Sequence, residues 1–349
     1  MKTKDKIRNP YIDIIKAILI ILVLIGHSIQ YGSGSNYMNN QLFFNNVIFK
    51  FIYSFHMPLF IMISGYLSYN SINKNSFFNI LKTKICTLII PIFLWTIPVL
   101  IFKLNEFYSI REFIKLCVTT FSTNLWFLWS LFYLTILVKL INKFCEDNIF
   151  IYIIIFLLTF IIPDEIIFKR FILQFYLYSY MYIFFIAGYL TKKHNLLEKI
   201  NKSIINKTLI INSYLFIMLL IPFSKDNYIY TTGINIINNY SQLFNDLYRY
   251  LIGFVGSIEI LLIIHKLTPF IKENIKDKLL YLGKNTLGIY IISSIIHPYI
   301  LPMFTSNLNN INYLFICIET IIILLISITI IELIKKNKYT SKYLLGEKK

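Results

Sequence analysis

The feature that most constrains this chain is a recurring apolar run. Leu-, Ile- and Phe-rich stretches of about twenty residues follow one another from end to end, each long enough to cross a hydrocarbon core of roughly 30 Å as a helix. About ten are present, at approximately 12–31, 47–69, 85–102, 125–141, 149–163, 171–190, 204–223, 247–265, 284–301 and 312–334. Lipid offers no partner to an open backbone, so the expected fold is all-α: a polytopic transmembrane helix bundle. Of 349 residues, 57% are apolar and 15% charged, whereas a soluble domain is about a quarter charged. The longest connections, 103–124 and 224–246, are too short for an independent unit, so residues 1–349 are expected to form a single membrane domain.

A net charge of +17 raises the question of a nucleic-acid partner, but the basic residues alternate by loop rather than forming one patch. Lys2, Lys4, Lys6 and Arg8 precede the first run; Lys74, Lys82 and Lys84 separate the second from the third; Lys192, Lys193, Lys199 and Lys202 follow the sixth. Lys266, Lys272, Lys276, Lys278 and Lys284 lie between the eighth and ninth. Lys335, Lys336, Lys338, Lys342, Lys348 and Lys349 close the chain, while loops 32–46 and 302–311 contain no Lys or Arg. The positive-inside rule then puts both termini in the cytoplasm, with an even number of spans in a plasma membrane. Membrane lipid rather than nucleic acid is the expected surrounding, and a homo-oligomer is compatible with the pattern. The first run holds Asp13 and Lys16 and ends without a small-residue cleavage pattern, so it reads as a retained helix and not a signal peptide. Cys86, Cys117, Cys145 and Cys317 show no CxxC spacing, and no metal site is expected.

An ionisable or imidazole side chain inside lipid is costly by a few kcal/mol and needs a partner, a wet cavity or a role. In the first run Asp13 and Lys16 are three apart, and Lys16 and His27 are eleven apart, about three turns, which brings them onto nearly one stripe. The ordinary reading is an ion pair at the helix start plus an interfacial histidine; the functional one gains from Gly26, which permits close approach beside His27. In the second run Pro58 should kink the helix near His56, which is either a second site histidine or the hydrogen-bond partner of the freed backbone. Ser64, Gly65 and Tyr66 follow, as a packing contact or part of a ligand site. Glu259 lies well inside the eighth run, after Gly253 and Gly256. Tyr290, Ser293 and His297 recur at helical spacing in the ninth, after Lys284 and Asn285. The connection 224–246, with Tyr228, Tyr230 and Tyr240, suits either stacking on sugar rings or interfacial anchoring.

Taken together, these segments resemble the membrane acyltransferase 3 family, in its fucose 4-O-acetylase-like branch. The resemblance rests on YIDIIKAILIILVLIGHS, with Asp13, Lys16 and His27, and on FHMPLFIMISGYL, with His56, Pro58, Ser64, Gly65 and Tyr66. LWFL and LGKNTLGIY are weaker matches in the right order. Thr87 stands where a second basic residue is common, and Ser293 where a histidine often follows the tyrosine by three, with His297 one turn later. The resemblance implies an O-acyltransferase that moves an acyl group, most often acetyl from acetyl-CoA, to a hydroxyl of a sugar or cell-envelope polysaccharide.

A sugar hydroxyl needs a positioned base, and an imidazole is the best-matched side chain. His27 is the expected base, with His56 as the second catalytic candidate. Lys16, Lys82, Lys84 and Lys284 are expected to meet the CoA phosphates, with Asp13 orienting Lys16. Tyr66, Glu259, Tyr290, Ser293 and His297 are the acceptor-side candidates. The rival from another class is a transporter or flippase for a lipid-linked glycan, which would also need basic mouths and intramembrane polar groups, and would not consume acyl-CoA. A structural subunit of an envelope-synthesis complex would lose nothing on replacement of His27.

Overall fold

The computed structural model describes residues 9–103, 109–161, 175–198, 202–234, 240–308 and 310–347, and every regular element among them is helical. The principal helices are α1 (Pro10–Tyr31), α2 (Val47–Lys74), α3 (Phe77–Phe102), α4 (Ile110–Thr123), α5 (Trp126–Cys145) and α6 (Ile149–Ile161). They continue with α7 (Phe175–Lys193), α8 (Lys202–Leu220), α9 (Tyr240–Leu267), α10 (Glu273–Thr305), α11 (Tyr313–Lys335) and α12 (Lys338–Leu344). Seven of these, α1, α2, α3, α5, α9, α10 and α11, are long and apolar enough to cross a membrane. The other three apolar runs fall on α6, α7 and α8. The 13 described residues of α6 rise only roughly 20 Å, short of a full crossing. Parts of runs 149–163 and 171–190, together with Lys2, Lys4, Lys6, Arg8, Lys199, Lys348 and Lys349, lie outside the described residues.

Two connections carry more helix than expected. Residues 110–123 form α4, begun by Ser109, whose side chain accepts from the Glu112 N–H and so satisfies one of the orphan donors of the first turn. The connection 224–246 contains a short helical turn at Ile229–Thr232 and the first residues of α9.

Helix α2 is the hub, packed on α7, α9, α1 and α5, while α1 also packs on α10 and α11. A Cβ at Gly188 would lie 1.8 Å from the Met62 carbonyl oxygen, and one at Gly65 2.1 Å from that of Phe185. Helices α2 and α7 therefore touch backbone to backbone, the close approach that small residues allow where lipid provides no hydrophobic drive for association. This is the work of Gly65, which faces α7. Helix α2 runs on through Pro58. In α10 the residues around Pro298 open into a π turn, Ile296–Ile300, which relieves the clash of the proline ring with the preceding turn. After α11 the chain folds back: α12 ends with the Leu344 carbonyl accepting from Trp95 Nε1 at 2.9 Å.

Candidate active site

On α1, Lys16, Ile20, Val23, His27 and Gln30 follow one another at three- and four-residue steps, and all five line cavities. His27 and Gln30 face one of about 420 Å³, walled also by Tyr53 and His56 of α2, Trp126 of α5, Tyr290 and Ser294 of α10, and Tyr230. Lys16 and Ile20 face a second of about 220 Å³, with Phe60 and Ser64 of α2, Leu88 of α3, Phe127 of α5 and Lys284 of α10. Val23, Met57 and Tyr290 line both, so the two spaces meet end to end across one layer of side chains. The Tyr290 ring is held edge-on to Phe127, centroids 5.8 Å apart.

Three imidazoles converge at the larger cavity. The His27 ring packs against that of His297 at 5.3 Å, nearly edge-on, and faces Tyr53 at 6.5 Å. Tyr53 in turn lies 4.6 Å from His56 and fits against α1 because Gly26 has no side chain there. His56 Nδ1 is 2.8 Å from the Ile52 carbonyl oxygen. A carbonyl only accepts, so Nδ1 carries the hydrogen of the neutral ring, and Nε2 is an acceptor with no hydrogen-bond partner among the described residues. Its partner is thus Ile52, and not the Ser54 carbonyl that Pro58 leaves without a donor. His297 is fixed the same way, Nδ1 donating to the Ser293 carbonyl at 2.9 Å while Nε2 accepts from Ser28 at 3.3 Å. Both His297 and Ser28 are fully buried, which makes this pair a brace behind His27 and withholds the serine from the cavity. His27 itself makes no hydrogen bond among the described residues, leaving its nitrogens to whatever enters.

At the other end Lys16 Nζ stands 3.3 Å from Asp13 and 2.5 Å from the Gly283 carbonyl. A Cβ at Gly283 would lie 2.0 Å from the Asp13 carbonyl oxygen, so the glycine is what lets α10 approach this pair. Lys16 and Lys284 are the charged residues of the smaller cavity and Lys103 that of the larger; neither lining contains a carboxylate. Both spaces therefore favour anionic or polar neutral occupants over cations.

Several expected site residues stand elsewhere. Glu259 accepts from Asn212 Nδ2 at 2.9 Å and Ser213 Oγ at 2.6 Å, a clamp between α8 and α9 that satisfies its carboxylate away from both cavities. Tyr66 packs beneath Lys192, whose Nζ is 5.2 Å from the ring centre. Ser293 is buried and donates to the Tyr290 carbonyl, and its neighbour Ser294 faces the cavity instead. Lys82 is exposed and Lys84 half-buried on α3, outside the lining of the smaller cavity.

The sequence reading missed Tyr53, Gln30, Asn124 and Lys103, all of which line the larger cavity, placed Trp126 only within the weaker LWFL match, and left Tyr230 undecided. Tyr53 precedes His56 by three residues, a helical spacing that could have found it. Trp126 follows Leu125, which adopts a left-handed backbone (φ 51°) and turns the chain sharply into α5. A strained, buried leucine beside a cavity wall is the kind of outlier that functional sites retain. Tyr228, next to Tyr230, is buried against Phe44, Phe49 and Phe223, and that burial pushes its phenol above the usual value, so it stays neutral.

Fold and cavities together define a helical membrane protein with an imidazole-lined chamber joined to a lysine-flanked one. The family model described as "Acyltransferase domain" matches residues 9–332, and the chain belongs to the membrane acyltransferase 3 family. It is 35% identical over 144 residues to nodulation protein NolL of Sinorhizobium fredii (39% of this chain, 37% of that protein). It is 33% identical over 147 residues to NolL of Mesorhizobium japonicum (41% and 39%). The matched part is thus about two fifths of these curated relatives. No solved structure gives a significant match.

Proposed function

We propose that the protein is a multi-pass plasma-membrane O-acyltransferase that moves an acyl group, most readily acetyl, from cytosolic acyl-CoA to a hydroxyl of a sugar in a cell-envelope glycan. The observation that carries the reading is the meeting of the two cavities at Val23, Met57 and Tyr290, with lysines at one end and imidazoles at the other. The charge asymmetry of the loops supports a cytoplasmic Lys16 end and an outer His27 end. The smaller cavity fits the donor chemically: Lys16 and Lys284 offer point charges to phosphates, and the apolar wall between them and Met57 suits a slender arm.

The donor supplies a thioester carbon and a thiolate leaving group. His27 takes the proton of the attacking hydroxyl, the new C–O bond forms as the C–S bond breaks, and the same imidazolium returns the proton to the departing sulfur. His56, with Nε2 free, accepts a hydrogen bond from a neighbouring hydroxyl of the same sugar and so orients the ring. Tyr290, lining both spaces, is the best-placed donor for the charge that develops on the carbonyl oxygen. His297 and Ser28 hold the His27 ring in place.

Purified protein in nanodiscs, given acetyl-CoA and envelope glycan fragments, should release CoA only when acceptor is present. Mass spectrometry of the glycan should show one acetyl mass gained. Vesicle transport of the acceptor without CoA release would replace the enzyme with a transporter.

A further inference from the structure

Arg249 of α9 is 1% exposed and forms an ion pair at 3.1 Å with the equally buried Asp246. A buried charge held only to stabilise the bundle is a poor choice, because apolar residues of similar size usually serve as well or better. Its remaining contacts give the guanidinium a different task. One nitrogen donates to the Gly233 carbonyl at 2.6 Å; another donates to Thr232 Oγ1 at 2.6 Å and to the Asp226 carbonyl at 3.2 Å. A single fork therefore grips both ends of segment 226–233. The middle of that segment reaches back to the larger cavity, where the Tyr230 ring stands 5.9 Å from Trp126 and 6.3 Å from Tyr53, edge-on to both. Gln242 reinforces the same end, donating to the Gly233 carbonyl at 2.9 Å.

We propose that Arg249 is a positioning residue for the acceptor: it straps segment 226–233 down so that Tyr230 forms, with Trp126, the aromatic wall against which the sugar ring stacks. This rests on the acyl-transfer reading for the identity of the acceptor, while the strap itself rests on geometry alone. The planar fork divides the task between two nitrogens, one on Gly233 and the other on Thr232 and Asp226, a fixed geometry that a point-charge ammonium on a flexible stem does not reproduce.

The test compares Arg249→Lys, Tyr230→Ala and the double variant in nanodiscs, by acetyl transfer and by tryptic cleavage after the exposed Lys225. Arg249→Lys should raise the acceptor KM about tenfold, a loss of roughly 1.4 kcal/mol in binding, and leave the donor KM and kcat within about twofold. It should also speed cleavage at Lys225 severalfold. Tyr230→Ala should match the KM change without the faster cleavage, and the double variant should be no worse than the poorer single one, as expected for residues acting in series. Cleavage at the parental rate in Arg249→Lys, equal shifts in both KM values, or multiplying effects in the double variant would each overturn the proposal. If the unaltered protein shows no acetyl transfer, the enzymatic reading is what fails, and the cleavage rate still decides whether Arg249 holds the strap.

Discussion

His27 and His56 share one wall yet differ in how they are held. His56 is pinned through Nδ1 to a backbone carbonyl, while among the described residues His27 is held by ring packing without a hydrogen bond. On the proposed chemistry the two should fail differently. His27→Ala should lower kcat by about 10² to 10⁴, the usual contribution of a general base, while the protein still inserts and still binds CoA; near-normal turnover would remove His27 from the mechanism. His56→Gln keeps an acceptor oxygen at nearly the same reach, so it should raise the acceptor KM and spare most of kcat. A kcat loss as deep as that of His27→Ala would exchange the two roles. The sequence offered His27 and His56 because a histidine in lipid is conspicuous in any reading. It could not offer the difference between them, which depends on which carbonyl each ring meets. Glu259 misled for the same reason: its partners Asn212 and Ser213 lie on a helix more than forty residues away, and a satisfied acid looks identical to an unsatisfied one in a single sequence.

Helical periodicity made α1 the most legible element. The step from Lys16 to His27 is a near-whole number of turns, and the structure has the two side chains on the walls of successive cavities. Lys16→Met should therefore weaken the donor end alone, raising the acyl-CoA KM while the acceptor KM holds; a change confined to the acceptor would break the assignment of the lysine end to phosphates. Helix α4 was legible in principle, since Ser109 followed by Glu112 is a helix-start pattern, but its weakly apolar residues were read as a loop. Segment 226–233 was beyond reach: nothing local in it says that an arginine on the next helix closes over it. Asp246 and Arg249 repeat the three-residue spacing of Asp13 and Lys16 at the start of an apolar run, which is the signal that passed unread.

For the whole molecule, the alternation of lysines predicts sidedness that the helix order alone leaves open. Tags placed in loops 32–46 and 302–311 should be labelled by an impermeant reagent added outside the cell, and both termini should be protected. A terminus labelled from outside would reverse the direction of transfer. The apolar runs announced a bundle because lipid imposes one length and one polarity on every crossing element. The cavities were not announced, because they are what remains between helices after packing.

The layer formed by Val23, Met57 and Tyr290 has a duty besides chemistry. On the proposed sidedness the two spaces lie toward opposite faces of the membrane, and the side chains that border both would then carry the permeability barrier there. Met57 is unbranched and adaptable, able to yield to a passing arm and close behind it. Liposomes containing Met57→Gly should dissipate an imposed proton gradient faster than those with the unaltered protein; an unchanged rate would mean that the seal lies elsewhere.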